Sequence, residues 1–302
     1  MQRSAGDSHV LWWFSDGKPG HDAQSLGLVR ALQARCEIKV YELRAGSRLA
    51  ALGAWLTGRY AAGHTLPQPD LLVGAGHATH WHLLAARRAV GGRTVVLMQP
   101  SLPNALFDLC LIPEHDKPRP AANVLVTTGV LNALSASQNR SSDQGVILLG
   151  GPSPHYRWSD NEVLEQVNAL LSARPQLHWQ VLSSRRTPES IVELLRNRKD
   201  LILLSSNAPA HSVEEVLAAA SEVRVSEDSV SMIYESLTSG APTGLLAVTR
   251  RATNRVTMGV DELVARGWVS AAGDWRTPVT PPPLEEAGRC ADWIMEQWLK
   301  RN

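Results

Sequence analysis

Short apolar runs alternate with segments of helical periodicity along most of this chain. Runs such as residues 9–14 and 70–73 have the length of a buried strand, and a helical pattern of apolar residues follows each of them. Parallel strands need a crossover between them, usually a helix, and their burial on both faces makes their sequences continuously apolar. The alternation therefore predicts an α/β fold built on doubly wound, largely parallel sheets.

A polar segment, SASQNRSSDQ at residues 135–144, interrupts the alternation near the middle of the chain. A second α/β series follows it, and a Pro-rich stretch then precedes a final amphipathic pattern. The chain has 302 residues, enough for two domains with cores of their own. We predict an N-terminal domain at residues 1–138, a C-terminal domain at 139–276, and a linker with a terminal helix at 277–302.

Composition excludes several classes of protein. The net charge of +1 argues against a nucleic-acid partner. The three cysteines, Cys36, Cys110 and Cys290, are far apart, which argues against a disulfide framework and fits a reducing cytoplasm. No run approaches the ~18 apolar residues of a membrane span. The sequence predicts a cytoplasmic protein, with room for peripheral attachment at the inner face of a membrane.

Polar and Gly-rich segments follow the predicted strands. Because the carboxyl ends of parallel strands share one sheet edge, where doubly wound folds bind ligands, we expect these segments to line that edge of each sheet. We also expect the two edges to face one another across an interdomain cleft. The segments are DGKPGHDAQS, GAGHATH, QPSLP and PEHD in the first half, and GGPS, SSRR and SEDS in the second.

The stretch RVSEDSVSMIYESLTSGAPT, residues 224–243, has the pattern of strand, polar turn, helix, Gly stop and strand. Asp228 or Ser229 is placed to cap the helix. The N–H groups of its first turn and the helix dipole could hold a phosphate. Glu235 lies on roughly the same helix face as Ser231. The motif is short, so an ordinary capped helix remains the alternative.

Two further segments of the second half are candidates for a phosphate site. Gly150, Gly151 and Ser153 follow a strand where backbone N–H groups could approach a phosphate, although a tight turn would use the same residues. Arg185 and Arg186 follow the next strand, and one of them could neutralise a diphosphate. Surface charge before a helix is the alternative for these arginines.

Five motifs, in this order, resemble a known family. They are DGKPGHDAQSLGLVRAL, PEHD followed by NVLVTTG, GGPSPHYRW, SSRRTP and DSVSMIYES. Together they resemble the mitochondrial-fission ELM-type family, which includes bacterial members. The architecture also resembles GT-B glycosyltransferases, which implies two Rossmann-like domains facing across a cleft and a C-terminal helix that returns to the first domain. The stretch at residues 224–243 is similar to the donor-binding segment of UDP-GlcNAc 2-epimerases and sugar-nucleotide transferases.

The resemblance implies roles for the candidate residues. The second domain would bind a nucleotide sugar through Ser and Gly groups at the diphosphate and Glu235 at the ribose. The first domain would face the acceptor, and an inverting transfer needs a base there, for which Asp16 and His21 are candidates. The nucleotide-sugar set is Gly150, Gly151, Ser153, Arg185, Arg186, Asp228, Ser229, Ser231 and Glu235. The acceptor-side set is Lys18, His77, Glu114 and His115.

Other chemistries lack their motifs. The DGKPGHDAQS loop is not a Walker loop, no G-x-S-x-G elbow is present, and no G-x-G-x-x-G follows the first strand. His77 and His80 have no carboxylate at metal-site spacing, so we expect no metal. We expect no cofactor, because the nucleotide-diphosphate sugar would be a substrate.

We expect a GT-B-like glycosyltransferase that moves a sugar to a cell-envelope or lipid-linked acceptor. A non-enzymatic membrane-surface adaptor and a sugar-nucleotide epimerase are the alternatives. The basic cluster Arg250, Arg251 and Arg255 could touch a phosphate or an anionic membrane, or could be a solvated face.

Overall fold

A computed structural model describes residues 8–204 and 210–299 of the chain. It divides into two compact units, Met1–Ala133 together with Glu286–Asn302, and Leu134–Glu285. Each unit contains a parallel sheet with helices between most of its successive strands. This arrangement confirms the predicted fold class. Within the described ranges, no helix is long and apolar enough to cross a membrane.

The first unit is built on a six-stranded parallel sheet in the order β2-β1-β3-β4-β5-β6. Its strands are β1 (His9–Ser15), β2 (Ile38–Arg44), β3 (Leu71–Ala75), β4 (Arg93–Leu97), β5 (Leu109–Pro113) and β6 (Val124–Thr127). Its helices are α1 (Pro19–Gln33), α2 (Arg48–Thr57), α3 (His80–Val90) and the last helix of the chain, α9 (Glu286–Ile294), which continues as a π-turn at Met295–Leu299.

The sheet of the first unit is buried on both faces because successive side chains of a strand point to opposite sides. Leu11 of β1 joins a core layer with Leu28 of α1 and Ile294 of α9. Its neighbours Trp12 and Phe14 join the opposite layer, which includes residues of α3. Helix α9 packs on α1, so the end of the chain returns to the first unit.

The second unit has a five-stranded parallel sheet in the order β10-β9-β7-β11-β12. Its strands are β7 (Gln144–Leu149), β9 (His178–Ser183), β10 (Leu201–Leu204), β11 (Glu222–Ser226) and β12 (Thr243–Leu246), and β8 (Tyr156–Arg157) pairs with β13 (Thr249–Arg250) in a small antiparallel sheet. Its helices are α4 (Asp160–Ala173), α5 (Glu189–Arg196), α6 (Ala210–Ala219), α7 (Val230–Ser239) and α8 (Arg255–Ala265).

The strand order reverses at one point in each sheet. In the first unit the chain winds outward in opposite directions from β1 and β3, and in the second from β7 and β11. Crossover loops leave these neighbouring strands on opposite faces of the sheet, which opens a crevice at their carboxyl ends. Each unit therefore has one topologically favoured place for a ligand.

The polar segment before β7 is held against the second unit. The N–H of Ser141 donates to the carbonyl of Ala219 at 2.8 Å. The guanidinium of Arg140 donates to the carbonyl of Ala220 at 2.9 Å and also to that of Ser239. The segment is thus anchored to the unit that follows it.

A buried arginine stabilises the interior of the second unit. Arg224 in β11 is fully buried, and its Nε donates to Glu222 Oε1 at 2.8 Å. Its two other nitrogens donate to the backbone carbonyls of Asp274 and Arg276, both at 2.6 Å. A Cβ at Gly244 of β12 would lie 2.3 Å from one guanidinium nitrogen, so glycine makes room for this side chain.

We expect Arg224→Met to lower the free energy of unfolding by about 3–5 kcal/mol, because it removes a partner of the buried Glu222 carboxylate and leaves two carbonyls without donors. Chemical denaturation measures the loss. Arg196→Met is the matched control, since the Arg196 side chain is 58% exposed, and it should cost less than about 1 kcal/mol. Equal losses in the two variants would contradict the assignment.

Candidate functional site

Three loops meet at the carboxyl edge of the second sheet, after β7, β9 and β11. The Asp228 side chain joins them and is fully buried. Its Oδ2 accepts the N–H of Gly151 at 2.9 Å and pairs with Arg186 Nη2 at 2.9 Å. Burial raises the pKa of Asp228, and the Gly151 N–H, Ser226 and Arg186 oppose that rise. The carboxylate therefore ties the other two loops to its own.

Both glycines of the GGPS turn are required because neighbouring loops approach the backbone closely at these positions. A Cβ on Gly150 would lie 2.2 Å from the Asp228 carboxylate, and one on Gly151 would lie 2.0 Å from the Arg186 carbonyl oxygen. The Arg186 backbone and the Asp228 carboxylate occupy the space that a side chain at these two positions would need. The turn is thus packed directly against its two neighbouring loops.

Hydroxyl groups fix the turn further. The Ser184 hydroxyl donates to the Gly150 carbonyl at 2.9 Å, and the Thr187 hydroxyl lies 2.6 Å from the same oxygen. The Ser153 hydroxyl accepts the N–H groups of His155 at 3.3 Å and Tyr156 at 3.1 Å. Sequence reasoning missed the contribution of Ser184 and Thr187, although both follow a strand at the ligand-binding edge.

Helix α7 begins without a side-chain cap. Ser229 occupies the N-cap position, but its side chain accepts no hydrogen bond from the first turn of α7, which lies wholly in the described part of the chain. Asp228 is engaged with Gly151 and Arg186 instead. The expectation that Asp228 or Ser229 caps this helix is therefore wrong. The N–H groups of the first turn are left to an external acceptor, and Ser231 is exposed beside them. The prediction that a glycine ends the helix is confirmed, because Gly240 occupies the C-cap position with a φ of 77°.

Glu235 lies one turn beyond Ser231 on the same helix face. Its side chain keeps some access to solvent, yet the surrounding protein removes enough hydration to raise its pKa to about 7. Within the described ranges, no hydrogen bond or ion pair reaches this carboxyl group. A carboxyl group in such surroundings is suited to accept hydrogen bonds from ligand hydroxyls.

The two neighbouring arginines differ in what they contact. Arg186 donates to the carbonyl of Gly151 at 2.8 Å in addition to its pair with Asp228, so its charge is largely used inside the protein. Arg185 is exposed, and no residue in the described part of the chain pairs with it. Arg185 is therefore the cation available to an anionic ligand.

The first unit carries a carboxylate–imidazole pair at the point where the strand order of its sheet reverses, between β1 and β3. The Asp16 side chain is 2% exposed, and its Oδ2 lies 2.9 Å from Nδ1 of His21. The other carboxylate oxygen accepts the N–H of Lys18 at 3.1 Å. A Cβ on Gly76, just after β3, would lie 2.3 Å from His21 Nδ1, so β1 and β3 together form the site. An ionised Asp16 requires the proton on Nδ1, which leaves Nε2 of His21 as the basic atom.

The other residues expected on the acceptor side fall into two groups. Lys18 Nζ lies 3.8 Å from Asp16, and exposed His77 follows β3 close enough to interact electrostatically with Asp16 and His21. Glu114 and His115 form a short helical turn after β5, three strands from β1 or about 14 Å along the sheet. The structure thus brings Lys18 and His77 to the pair, but not Glu114 and His115.

Two histidines near His77 are part of the core. His80 Nδ1 lies 3.2 Å from the Ser101 hydroxyl, and His82 Nδ1 lies 2.9 Å from the Tyr60 hydroxyl. Burial, as the largest cause, lowers the pKa of His80 to about 4. Across residues 8–204 and 210–299, no group of three potential ligand side chains could hold a metal ion.

A match along nearly the whole chain identifies the family to which these motifs belong. The sequence pattern of the family described as Mitochondrial fission ELM1 matches residues 19–298. The chain belongs to this family. The match confirms the resemblance drawn from the five motifs. No curated protein sequence matches the chain.

Solved structures of similar fold include UDP-N-acetylglucosamine 2-epimerases and a glycotransferase. A putative UDP-N-acetylglucosamine 2-epimerase from Listeria monocytogenes is 16% identical, with a TM-score of 0.55 over 84% of this chain and 82% of that one. The glycotransferase of kitacinnamycin is also 16% identical, with a TM-score of 0.54 over 97% and 100%. UDP-GlcNAc 2-epimerase from Neisseria meningitidis, bound to UDP-GlcNAc, is 11% identical, with a TM-score of 0.51 over 96% and 92%. These similarities confirm a GT-B-like fold.

The raised pKa of Glu235 predicts a pH dependence of stability. Between the ordinary value of 4.5 and about 7, the folded protein binds more protons at this group than the unfolded chain, so the group makes stability fall as pH rises. Glu235→Gln removes this effect. The Tm of the variant minus that of the wild type should therefore increase from about pH 5 to about pH 8. Glu165→Gln, at an exposed position of α4, is the control, and identical trends in the two variants would contradict the assignment.

Proposed function

We propose that this protein transfers a sugar from a nucleotide-diphosphate sugar to an acceptor hydroxyl, as part of cell-envelope or lipid-linked glycan synthesis. The observation that carries the proposal is the start of α7, where uncapped N–H groups lie one turn from Glu235, a carboxyl group with no partner among the described residues. A nucleoside diphosphate offers phosphate oxygens to such N–H groups and ribose hydroxyls to such a carboxylate. The transferase and epimerase structures of similar fold support the same class of donor.

In this proposal the second unit holds the donor. The diphosphate accepts from the first-turn N–H groups of α7, from the hydroxyls of Ser229 and Ser231, and from Arg185. The ribose hydroxyls donate to Glu235. Asp228 and Arg186 act as positioning residues, because their contacts hold the Gly150–Gly151 turn beside the helix start.

The first unit supplies the base. As the acceptor oxygen bonds to the anomeric carbon of the sugar, its proton passes to Nε2 of His21. The bond from that carbon to the diphosphate breaks, and the nucleoside diphosphate leaves with the electron pair. Asp16 stabilises the imidazolium that forms, as a buried carboxylate does in the Ser-His-Asp arrangement.

The epimerase structures of similar fold support a second activity at the same donor site. An epimerase converts its nucleotide sugar without an acceptor and releases no free nucleotide. Product analysis by chromatography separates the two, because a transferase yields nucleoside diphosphate and an epimerase yields an isomeric nucleotide sugar. A membrane-surface adaptor would yield neither product.

Donor binding is the first test. Calorimetry with UDP-, GDP-, ADP- and CMP-sugars should find one nucleotide class that binds. Glu235→Ala should weaken that binding about tenfold to hundredfold, as expected for loss of hydrogen bonds to a charged group. Glu165→Ala, at the exposed position on α4, should leave affinity unchanged. If no nucleotide binds, the proposal is wrong.

The base is tested separately by turnover. Without acceptor, slow hydrolysis of the donor replaces transfer, and His21→Ala should reduce its rate at least about hundredfold with unchanged nucleotide affinity. Asp16→Asn should also slow hydrolysis and alter its pH profile, because it disturbs the tautomer of His21. His64→Ala, at an exposed position of the same unit, is the control. Undiminished hydrolysis in His21→Ala would reject the base and leave the donor site standing.

A further inference from the structure

Helix α2 is apolar on two faces. Its inner face is packed, since Ala51 is 2% exposed and the Trp55 ring lies 5.7 Å from that of Trp81 in α3, edge to face. Its outer face carries Leu49, which is 80% exposed, half-buried Leu52, and Leu56, which is 63% exposed. These leucines are three and four residues apart, so they form one continuous stripe.

Such a stripe differs from the scattered apolar residues of an ordinary protein surface. Exposed large apolar side chains of the second unit are separate from one another in the chain: Leu194 lies in α5, Ile202 in β10, and Val279 outside any helix or strand. Within the described ranges, α2 alone presents two leucines that are each more than 60% exposed. Leaving them in water is unfavourable unless they meet an apolar phase.

The segment around the stripe is basic. No Asp or Glu lies between Glu42 and Asp70 in the sequence. Arg44, Arg48 and Arg59 fall within this interval, and all three are exposed. An apolar helix face with arginines at its flanks is complementary to an anionic lipid surface, where leucines enter the acyl boundary and guanidinium groups meet phosphates.

We infer that the outer face of α2 is a membrane-docking surface for anionic bilayers, formed by Leu49, Leu52 and Leu56 with Arg44, Arg48 and Arg59. A second copy of the chain fits this face less well, because a two-fold interface would bring the same arginines together with no carboxylate in the segment to pair them. Nucleic acid would leave the leucines in water.

The basic cluster before α8 is partly engaged within the second unit. Arg250 pairs with Glu227 at 2.7 Å and with Asp261 at 2.8 Å. Nε of Arg251 donates to the carbonyl of Tyr156 at 3.3 Å. These contacts pair the charge of Arg250 with two carboxylates and engage one nitrogen of Arg251 with a backbone carbonyl.

The docking surface adjoins the carboxylate–imidazole pair of the same unit. A Cβ on Gly17, next to Asp16, would lie 2.5 Å from Arg44 Nη1, and Arg48 acts electrostatically on His77. A bilayer on α2 would therefore bring lipid headgroups near His21. This consequence rests on the proposed function, since it makes the acceptor a lipid-linked hydroxyl, whereas the docking itself does not depend on it.

The test is sedimentation of the full chain with vesicles of phosphatidylcholine, with and without phosphatidylglycerol. We expect binding to the anionic vesicles that decreases with salt. Leu49→Gln/Leu56→Gln should reduce partitioning at least about tenfold, and Arg48→Gln/Arg59→Gln about fivefold per arginine with a weaker salt dependence. Leu194→Gln/Val279→Gln removes two exposed apolar side chains of the second unit, 53% and 64% exposed, and should bind as the wild type does.

Any of three results would overturn the inference. The first is the absence of vesicle binding by the wild type. The second is equal binding by the Leu49→Gln/Leu56→Gln variant with an unchanged circular dichroism spectrum. The third is a wild-type dimer by light scattering that becomes a monomer in that variant, which would assign the face to a second copy. Nucleotide binding should persist in the variant, so failure of docking is distinguishable from failure of the donor site.

Discussion

The second unit's site depends on one buried carboxylate, that of Asp228. A charge without water is costly unless partners surround it, and here the Gly151 N–H and the Arg186 guanidinium supply them. The same contacts determine the shape of the site, since the Gly150–Gly151 turn can approach the carboxylate only without side chains. Because the Asp228 side chain makes these contacts, it does not cap α7. The helix forgoes about 0.5–2 kcal/mol of capping energy, and its first N–H groups stay available to a ligand.

The first unit also places a buried carboxylate next to a glycine from a neighbouring strand end, but this carboxylate has a different partner. Buried Asp16 fixes His21 at the switch point, and Gly76 after β3 leaves space for the ring. In both units a loop carboxylate and a glycine from the neighbouring strand end meet where the strand order reverses. In the second unit the carboxylate joins a glycine turn to an arginine, and in the first unit it orients an imidazole, because the two carboxylates have different partners.

The fold was predictable because the strands are short, apolar and separated by helical patterns. The region of the candidate site was predictable because the carboxyl ends of parallel strands lie at one edge of the sheet. Strand order was not predictable, so the sequence did not show that Glu114 and His115, which follow β5, lie three strands from Asp16. The sequence also could not reveal that Arg186 and Asp228 pair with each other. Such pairing depends on side chains from different loops, which carry no local signal.

Glu235 connects the chemistry of the site to its energetics. A carboxyl group with a pKa near 7 and no partner in the described part of the chain lowers stability when it is ionised, so its presence makes sense where a ligand completes its hydrogen bonds. Donors from a ligand favour the ionised form and would lower the pKa of Glu235 in the complex. By linkage, binding near neutral pH would then release a proton and strengthen as pH rises through 7. A ligand that donates hydrogen bonds to Glu235 would thereby offset the stability that the ionised carboxylate costs the free protein.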